Sequence, residues 1–347
     1  MTRTVVLALL IATSAHANVW TDAAKSDAGR ELYDHEMAAG DELARDANSP
    51  TISTGEAGRF IASSIKAYRA AAQARPEAGE PYYRIGRLLY SFYFECDGFT
   101  EQLQHPPLAG CPQESGMDLF HPQQAQQIID AWDAFEARAP LDPRLGPAGL
   151  SSSANIGAAD EDILFRRAIL HTKFATHDHL VRAAHDYEEI IALSDPSDVS
   201  DTVLNNLAET YMMLGRLDES IAIYGEALRR SPRPEVSLGL AVALDRAGRA
   251  DDAREEVLSI GIEGINEFVR SVDGYHTFFV PEGEKFYYFA LIAEATGSYD
   301  RAVGLWREYI RSGAHPEFQP RAKQHIATLL AAPKTIPRDA PYREVPP

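Results

Sequence analysis

A helical hairpin of about 34 residues, repeated along the chain, is the feature that most limits what this sequence can fold into. Its clearest copy spans residues 201–232. Apolar residues at i, i+3, i+4 and i+7 mark one face of a first helix: Leu204, Leu207, Ala208 and Tyr211. Gly215 interrupts that pattern, and a second apolar stripe follows: Ile221, Tyr224, Ala227 and Leu228. Pro232 ends the second helix because proline cannot continue a helix.

The same hairpin recurs towards the C-terminus. Gly248 lies 33 residues after Gly215, and Gly297 lies 49 residues after Gly248. One repeat with a surplus of about fifteen residues explains the longer spacing. We place the surplus between Gly261 and Gly283, where no clean apolar stripe continues beyond the start of the segment. Stacked helical hairpins bury one continuous core, so the predicted fold class is all-α.

These segments resemble tetratricopeptide repeats, in which two helices cross at small residues. Eight residues of the clearest copy match the family pattern in order: Leu207, Ala208, Tyr211, Gly215, Ser220, Tyr224, Ala227 and Pro232. More degenerate matches in the first half of the chain are Ser64, Tyr68, Ala71, Tyr82, Ile85, Gly86, Leu89, Ile128, Trp132 and Phe135. The resemblance implies a right-handed superhelical solenoid of five to six antiparallel hairpins with loop insertions.

The resemblance also implies a division of the chain. Residues 18–143 would form an N-terminal helical sub-array that carries a cysteine-containing insertion, and residues 161–332 a C-terminal repeat array. The stretch 144–160 is rich in Gly and Ser and is expected to be the loop between them. Five of the residues in 333–347 are proline, which predicts an extended tail.

Residues 1–17 have the layout of a secretory signal peptide. Arg3 precedes an apolar run from Val5 to Ala12, and the small residues Ala15 and Ala17 follow it. The run is much shorter than the roughly 20 apolar residues that span a bilayer. We expect cleavage after Ala17 and a mature protein that is periplasmic or secreted, two locations that the sequence does not distinguish.

The chain has two cysteines, Cys96 and Cys111. An oxidising compartment lets such a pair persist as a disulfide, which is the pairing that we expect after export. Two Pro and two Gly lie between them, so the loop cannot be one continuous helix. Two unpaired thiols or a redox-active pair are the alternatives, although the spacing differs from the C-x-x-C of thiol oxidoreductases.

The charge balance restricts the class of partner. Lys and Arg total 33 against 51 Asp and Glu, a formal net charge of −18. Nucleic acid is therefore a poor partner, because phosphate binding requires basic patches. An acidic protein attracts basic segments instead and speeds their approach at low salt.

Motifs of catalysis and metal binding are absent or isolated. The sequence lacks G-x-x-x-x-G-K-[ST], G-x-S-x-G and H-E-x-x-H. Ser63 and Lys66 fit S-x-x-K, but the S-D-N and K-T-G elements that accompany it are missing, so we assign no catalytic residue. Four histidines could offer imidazole ligands to Zn²⁺ or Cu²⁺, but no two are three or four residues apart: His171, His177, His179 and His185. We therefore predict no metal and no cofactor.

The family resemblance implies a partner-binding site. First helices line the concave groove of these solenoids, and the family pattern assigns to the groove Asn205, Glu209, Met212, Leu238, Val242, Asp245, Tyr287, Leu291 and Glu294. This mixture of apolar, amide and acidic groups suits a peptide with apolar and basic side chains. The Lys/Asn set with which some members bind a C-terminal carboxylate is not matched.

The predicted function is a non-catalytic protein-interaction scaffold or adaptor in the cell envelope, which binds a partner segment in this groove. One alternative is an envelope enzyme or metal-binding protein with its site in the inserted loops, between Cys96 and Cys111 or between His171 and His185. Another is a structural repeat protein that associates with itself. The sequence does not identify the partner, the pathway or the oligomeric state.

Overall fold

A computed structural model describes residues 26–49, 51–94, 121–138, 156–195, 198–273, 277 and 279–331. Every regular element within these ranges is a helix, so the all-α prediction is confirmed for the described part of the chain. None of these helices is long and apolar enough to span a membrane. The expected signal peptide, Cys96, Cys111 and the Pro-rich tail lie outside the described residues.

The described ranges contain fourteen α-helices. Helix α1 comprises residues 26–47. The others are, in chain order, α2 (Thr54–Ala74), α3 (Glu80–Tyr93), α4 (Pro122–Glu136), α5 (Ile156–Phe174), α6 (His177–Leu193), α7 (Asp201–Met213), α8 (Leu217–Arg230), α9 (Pro234–Arg246), α10 (Ala250–Ser259), α11 (Gly261–Asp273), α12 (Lys285–Ala295), α13 (Tyr299–Ser312) and α14 (Gln319–Ala331). Short 3₁₀ turns, Glu282–Glu284 and Pro316–Phe318, precede α12 and α14.

The chain divides into two compact units between Ile163 and Leu164, inside α5. Helix α5 begins at Ile156, so residues 156–160, the last five of the predicted loop, are helical. Ala158 and Ala159 are strong helix formers and extend the helix ahead of its apolar stretch. The N-terminal unit pairs α1 with α2 and α3 with α4, while the C-terminal unit pairs α7 with α8, α9 with α10 and α12 with α13.

Three glycines form the turns inside the hairpins of the C-terminal unit, as the repeat spacing predicts. Gly215, Gly248 and Gly297 have φ of +74°, +82° and +82°, a left-handed conformation that glycine adopts without steric cost. In each turn the amide after the glycine donates to the carbonyl five residues earlier, at 2.8 or 2.9 Å. The same hydrogen bond therefore ends the first helix of all three hairpins.

Small residues let the paired helices approach closely. Ser220 of α8 donates its hydroxyl to the carbonyl oxygen of Ala208 on α7 at 2.7 Å. Ser64 of α2 makes the equivalent bond to Gly40 of α1 at 2.8 Å, and both serines are fully buried. The weaker sequence match in the first half of the chain thus forms the same helix crossing as the clearest repeat.

Glycines leave room for buried aromatic rings at further crossings. A methyl group on Gly239 of α9 would lie 2.5 Å from Cζ of Tyr224, whose ring is buried. A methyl group on Gly86 of α3 would lie 2.2 Å from Nε1 of Trp132 on α4. These aromatic rings occupy the volume of the missing side chains, so glycine is required for the packing.

Helix α11 accounts for the surplus between the second and third glycine turns. It buries Ile265 and Phe268, and the Phe268 ring stacks on Tyr288 with centroids 5.9 Å apart. The position of the surplus agrees with the sequence, but the segment is an amphipathic helix rather than the irregular stretch that we expected. The apolar face of α11 packs on α9 and on the aromatic residues of α12.

Replacing Gly239 by alanine should destabilise the C-terminal unit. The added methyl group must displace the Tyr224 ring, and we expect the free energy of unfolding to fall by about 1–3 kcal/mol. Gly304→Ala is the matched control, because nothing lies within 4 Å of a methyl group there and α13 should gain about 0.5–1 kcal/mol of stability. Urea unfolding followed by circular dichroism measures both. Equal changes in the two variants would contradict the packing argument.

Candidate functional site

The residues predicted to line a groove do not form one open surface. Six of the nine are buried in the C-terminal unit: Met212, Leu238, Val242, Asp245, Tyr287 and Leu291. These six belong to the core, because a buried side chain cannot contact a partner. Asn205, Glu209 and Glu294 are half-buried.

Helix α14 covers Asp245, which lies on α9. Arg321 of α14 donates to the Asp245 carboxylate through Nη2 at 2.5 Å and through Nε at 3.2 Å. Nε2 of His325, one helical turn later, lies 3.0 Å from both carboxylate oxygens. The Tyr287 hydroxyl of α12 donates to the same carboxylate at 2.7 Å. One buried carboxylate thus accepts hydrogen bonds from two neighbouring helices.

The other nitrogen of His325 contacts a second carboxylate. Nδ1 lies 2.9 Å from Glu294 Oε2, which also accepts the indole N–H of Trp306 at 3.1 Å. The imidazole ring stacks on the Trp306 ring with centroids 4.5 Å apart. An imidazole can donate from both nitrogens only when it is protonated, so this arrangement fits an imidazolium between two carboxylates.

Burial and hydrogen bonding shift the pKa in opposite directions, both for His325 and for Asp245. Burial alone would lower the pKa of His325, but the hydrogen bonds to Asp245 and Glu294 raise it to about 9. Burial alone would raise the pKa of Asp245, but the hydrogen bonds from His325, Arg321 and Tyr287 hold it at about 2. Both groups are therefore charged at neutral pH.

A second buried ion pair lies next to this cluster. Nη2 of Arg246 donates to Glu284 Oε1 at 2.5 Å, and both side chains are buried. The guanidinium lies over the rings of Tyr287 and Phe318, 4.6 and 4.1 Å from their centroids. Burial would lower the pKa of Arg246, but the charge of Glu284 raises it. The pair joins α9 to the turn before α12 and to the turn before α14.

A shallow pocket, which encloses about 20 Å³ and is partly open to solvent, lies on the C-terminal unit. Helices α5, α6 and α7 and the segment before α12 form its walls. Most of the lining is apolar, and Asn206 donates to the Tyr187 hydroxyl at 3.3 Å at its edge. The lining residues are Ile169, Thr172, Tyr187, Asn206, Glu209, Met213 and Val280.

Glu209 is the ionisable group of this pocket. Its carboxylate makes no hydrogen bond or ion pair with another described residue. Burial and the nearby charge of Glu284 raise the pKa of Glu209 to about 7, and Arg246 offsets part of that rise. A half-buried carboxylate without a partner is costly, and a cation in the pocket would remove that cost. Of the nine predicted residues, Glu209 is the one in the lining of this pocket.

The histidine-rich segment brings two of its four members together. His171 and His179 share a hydrogen bond between their Nδ1 atoms at 2.7 Å, across the α5–α6 hairpin. Burial, His179 and two arginines lower the pKa of His171 to about 3. His177 and His185 are exposed.

One group of potential metal ligands occurs among the described residues: His185, Asp186 and Glu189. Asp186 already accepts two hydrogen bonds from Arg167 at 2.7 and 2.9 Å. A metal ion at this position would have to displace Arg167 from a buried ion pair, which would leave the guanidinium uncompensated. Ser63, for its part, is exposed and donates its hydroxyl to the Arg59 carbonyl at 2.9 Å.

Sequence patterns assigned no role to Arg246, Glu284, Arg321 or His325. Glu284 and Arg246 are 38 residues apart, and His325 and Asp245 are 80 residues apart. No local pattern connects such distant residues. The one available signal is that Arg321 and His325 share a face of the last helix, four residues apart, where a terminal helix is expected to be polar.

Stability should fall at alkaline pH when His325 loses its proton. The folded-state pKa of about 9 exceeds the ordinary value of 6.5, so the stabilisation is complete below 6.5 and is lost as the pH rises through 9. We expect the free energy of unfolding to decrease by about 2 kcal/mol between pH 7 and pH 9. His325→Gln should flatten this decrease, whereas the exposed His185→Gln should retain it. Urea titrations at both pH values measure the change, and an unchanged slope in His325→Gln would contradict the assignment.

Comparison with known proteins agrees with this geometry. Residues 205–262, which extend from α7 to the start of α11, match the family model described as tetratricopeptide repeat. No curated protein matches the chain. The matched region contains Glu209, the two glycine turns at Gly215 and Gly248, and the Ser220 crossing. Residues 205–262 are therefore a tetratricopeptide repeat segment of this chain.

Proposed function

We propose that this protein is a non-catalytic interaction scaffold of the cell envelope and that the pocket around Glu209 receives a basic side chain of its partner. Tetratricopeptide repeats present rigid stacked hairpins, which are suited to capture of another protein and typically carry no catalysis. The specific part of the proposal rests on one observation. Glu209 is a half-buried carboxylate that opens into a largely apolar pocket and makes no hydrogen bond or ion pair with the described residues.

The mouth of the pocket suits the charged end of a lysine or arginine side chain. The aliphatic stem of such a residue can pack on the partly exposed Thr172 and Val280, while its charged end reaches Glu209. The half-buried Asn206 amide, which also lines the pocket, can bind a backbone group of the same segment. Because the walls are formed by packed helices, little conformational entropy would be lost when the segment binds.

Charge supports the same class of partner. The net charge of −18 attracts basic segments over long distances when the salt concentration is low. Contact with Glu209 would then select the bound residue. A cation at this position also compensates the repulsion between Glu209 and Glu284 that contributes to the raised pKa.

Binding of a basic peptide should depend on Glu209 and on pH. We expect a fluorescent peptide of alternating leucine and arginine to bind more tightly than the same peptide with glutamate in place of arginine. Affinity for the basic peptide should rise between pH 6 and pH 8, because the carboxylate with a pKa of about 7 becomes charged in that range. Fluorescence anisotropy measures both effects.

The isosteric Glu209→Gln variant provides the decisive comparison. It should bind the basic peptide roughly tenfold more weakly and lose the pH dependence. Its melting temperature should not decrease, because the substitution removes a poorly compensated buried charge. Glu267→Gln, at an exposed position of α11, is the matched control and should bind as the unmodified protein does. Equal affinity of the unmodified protein and Glu209→Gln would exclude this pocket as the binding site.

The envelope location rests on residues 1–17. We expect the protein recovered from its native cells to begin at Asn18, because a signal peptidase cuts after small residues such as Ala15 and Ala17. Intact-mass spectrometry of the purified protein measures the N-terminus. Ala17→Arg should block processing, whereas Thr4→Ser should not. Recovery of a chain that retains Met1 from the unmodified gene would contradict export by this route.

A further inference from the structure

The N-terminal unit carries a cleft with the opposite charge. Helices α1 and α3 present residues at the same spacing, i, i+3, i+4 and i+7, which places each set on one face of its helix. The buried Tyr68 of α2 lies between the two faces. From α1 and the turn after it the lining residues are Asp41, Ala44, Arg45 and Asn48, and from α3 they are Arg84, Arg87, Leu88 and Ser91.

Three arginines outnumber the one acidic residue of this lining. Asp41 Oδ1 accepts the Tyr68 hydroxyl at 2.7 Å, and the charge of this carboxylate offsets part of the charge of Arg84. Arg84 bonds to Glu80, outside the cleft, through one nitrogen at 3.2 Å. The cleft is therefore positive within a chain whose net charge is −18. This local charge is opposite to what the overall composition favours.

Two of the guanidinium groups retain donors for a ligand. Nε of Arg84 is buried and has no hydrogen-bond partner among the described residues. Arg45 is exposed and uses Nε alone, in a bond to the Asp41 carbonyl at 3.3 Å, so its two Nη nitrogens remain available. A buried N–H without an acceptor costs free energy, and the rest of the Arg84 side chain is 40% exposed, so an anion can approach its guanidinium.

The chemistry of guanidinium selects the ligand class. Its planar donors match two oxygens of a carboxylate or a phosphoryl group and bind them in pairs. Arginines from two different helices can surround such a group, and the amide of Asn48 can add a further hydrogen bond. A monovalent ion without directional acceptors would use little of this geometry.

We propose that the cleft between α1 and α3 binds a small polyanion through Arg45, Arg84 and Arg87. The ligand carries phosphoryl or carboxylate groups. This site is separate from the Glu209 pocket of the C-terminal unit and selects the opposite charge, so the two proposals can fail independently.

Isothermal titration of the full-length mature protein with inorganic phosphate and with citrate tests the proposal. Chloride at the same ionic strength is the reference. We expect saturable binding of at least one of the two anions, and the stronger ligand identifies the phosphoryl or the carboxylate source. Binding should weaken as salt is added, because the charges of an open cleft are screened.

Variants separate the cleft from general electrostatics. Arg45→Gln lies at an exposed position and should weaken binding roughly tenfold without a change in melting temperature. Arg84→Gln should weaken binding at least as much. Arg59→Gln removes the same charge from an exposed position of α2 outside the cleft and should leave binding unchanged.

Two results would overturn the proposal. One is the absence of saturable binding of both phosphate and citrate by the unmodified protein. The other is an equal loss of affinity in Arg45→Gln and Arg59→Gln, which would indicate that any arginine attracts the anion. Retained binding of the basic peptide by Arg45→Gln would show that the variant is folded and that the two sites are independent.

Discussion

Close approach of paired helices is the constraint on which the structure depends. A serine hydroxyl reaches the backbone carbonyl of the facing helix at Ser220 and again at Ser64, which is possible only where neither helix presents a large side chain. The next helix then approaches the same hairpin, because Gly239 leaves space for the ring of Tyr224. Each hairpin thereby fixes the position of its neighbour. The geometry of the surfaces between hairpins is determined by the same close contacts.

Buried charge determines where the C-terminal unit is open. Asp245 and Arg246 are adjacent on α9. Their partners lie on α12, on α14 and in the turn before α12. Removing such ions from water costs several kcal/mol each, and charge-assisted hydrogen bonds of about 1.5–3 kcal/mol offset that cost only when all are made. The network therefore adds little net stability but specifies one position for α14. That position covers the face formed by α9 and α12 and leaves the pocket near α5 and α7 accessible.

Local patterns predicted the helices well because each signal acts within one hairpin. The glycine turn at Gly215, the crossing at Ser220 and the apolar stripes are all short-range features, and they recur at a nearly constant period. The same reasoning assigned Asp245 and Tyr287 to a groove, since their positions in the repeat are those of groove residues. It failed for them because α14, about 80 residues after Asp245, supplies the side chains that cover it. Glu209, another residue of the predicted groove, is half-buried and lines a shallow pocket, and its role in binding stays a prediction.

The net charge of this protein determines its electrostatic attraction for a partner only at long range. Screening in physiological salt reduces charge interactions beyond about 8 Å, so a bound group senses the nearest side chains rather than the sum over the chain. The total of −18 affects the approach of a partner at low salt, whereas in our proposals Glu209 in one unit and Arg45 with Arg84 in the other select the bound group. An acidic composition is therefore compatible with an anion site. The sign of each site follows from which side chains the helix faces bring together, and that is a property of the fold rather than of the composition.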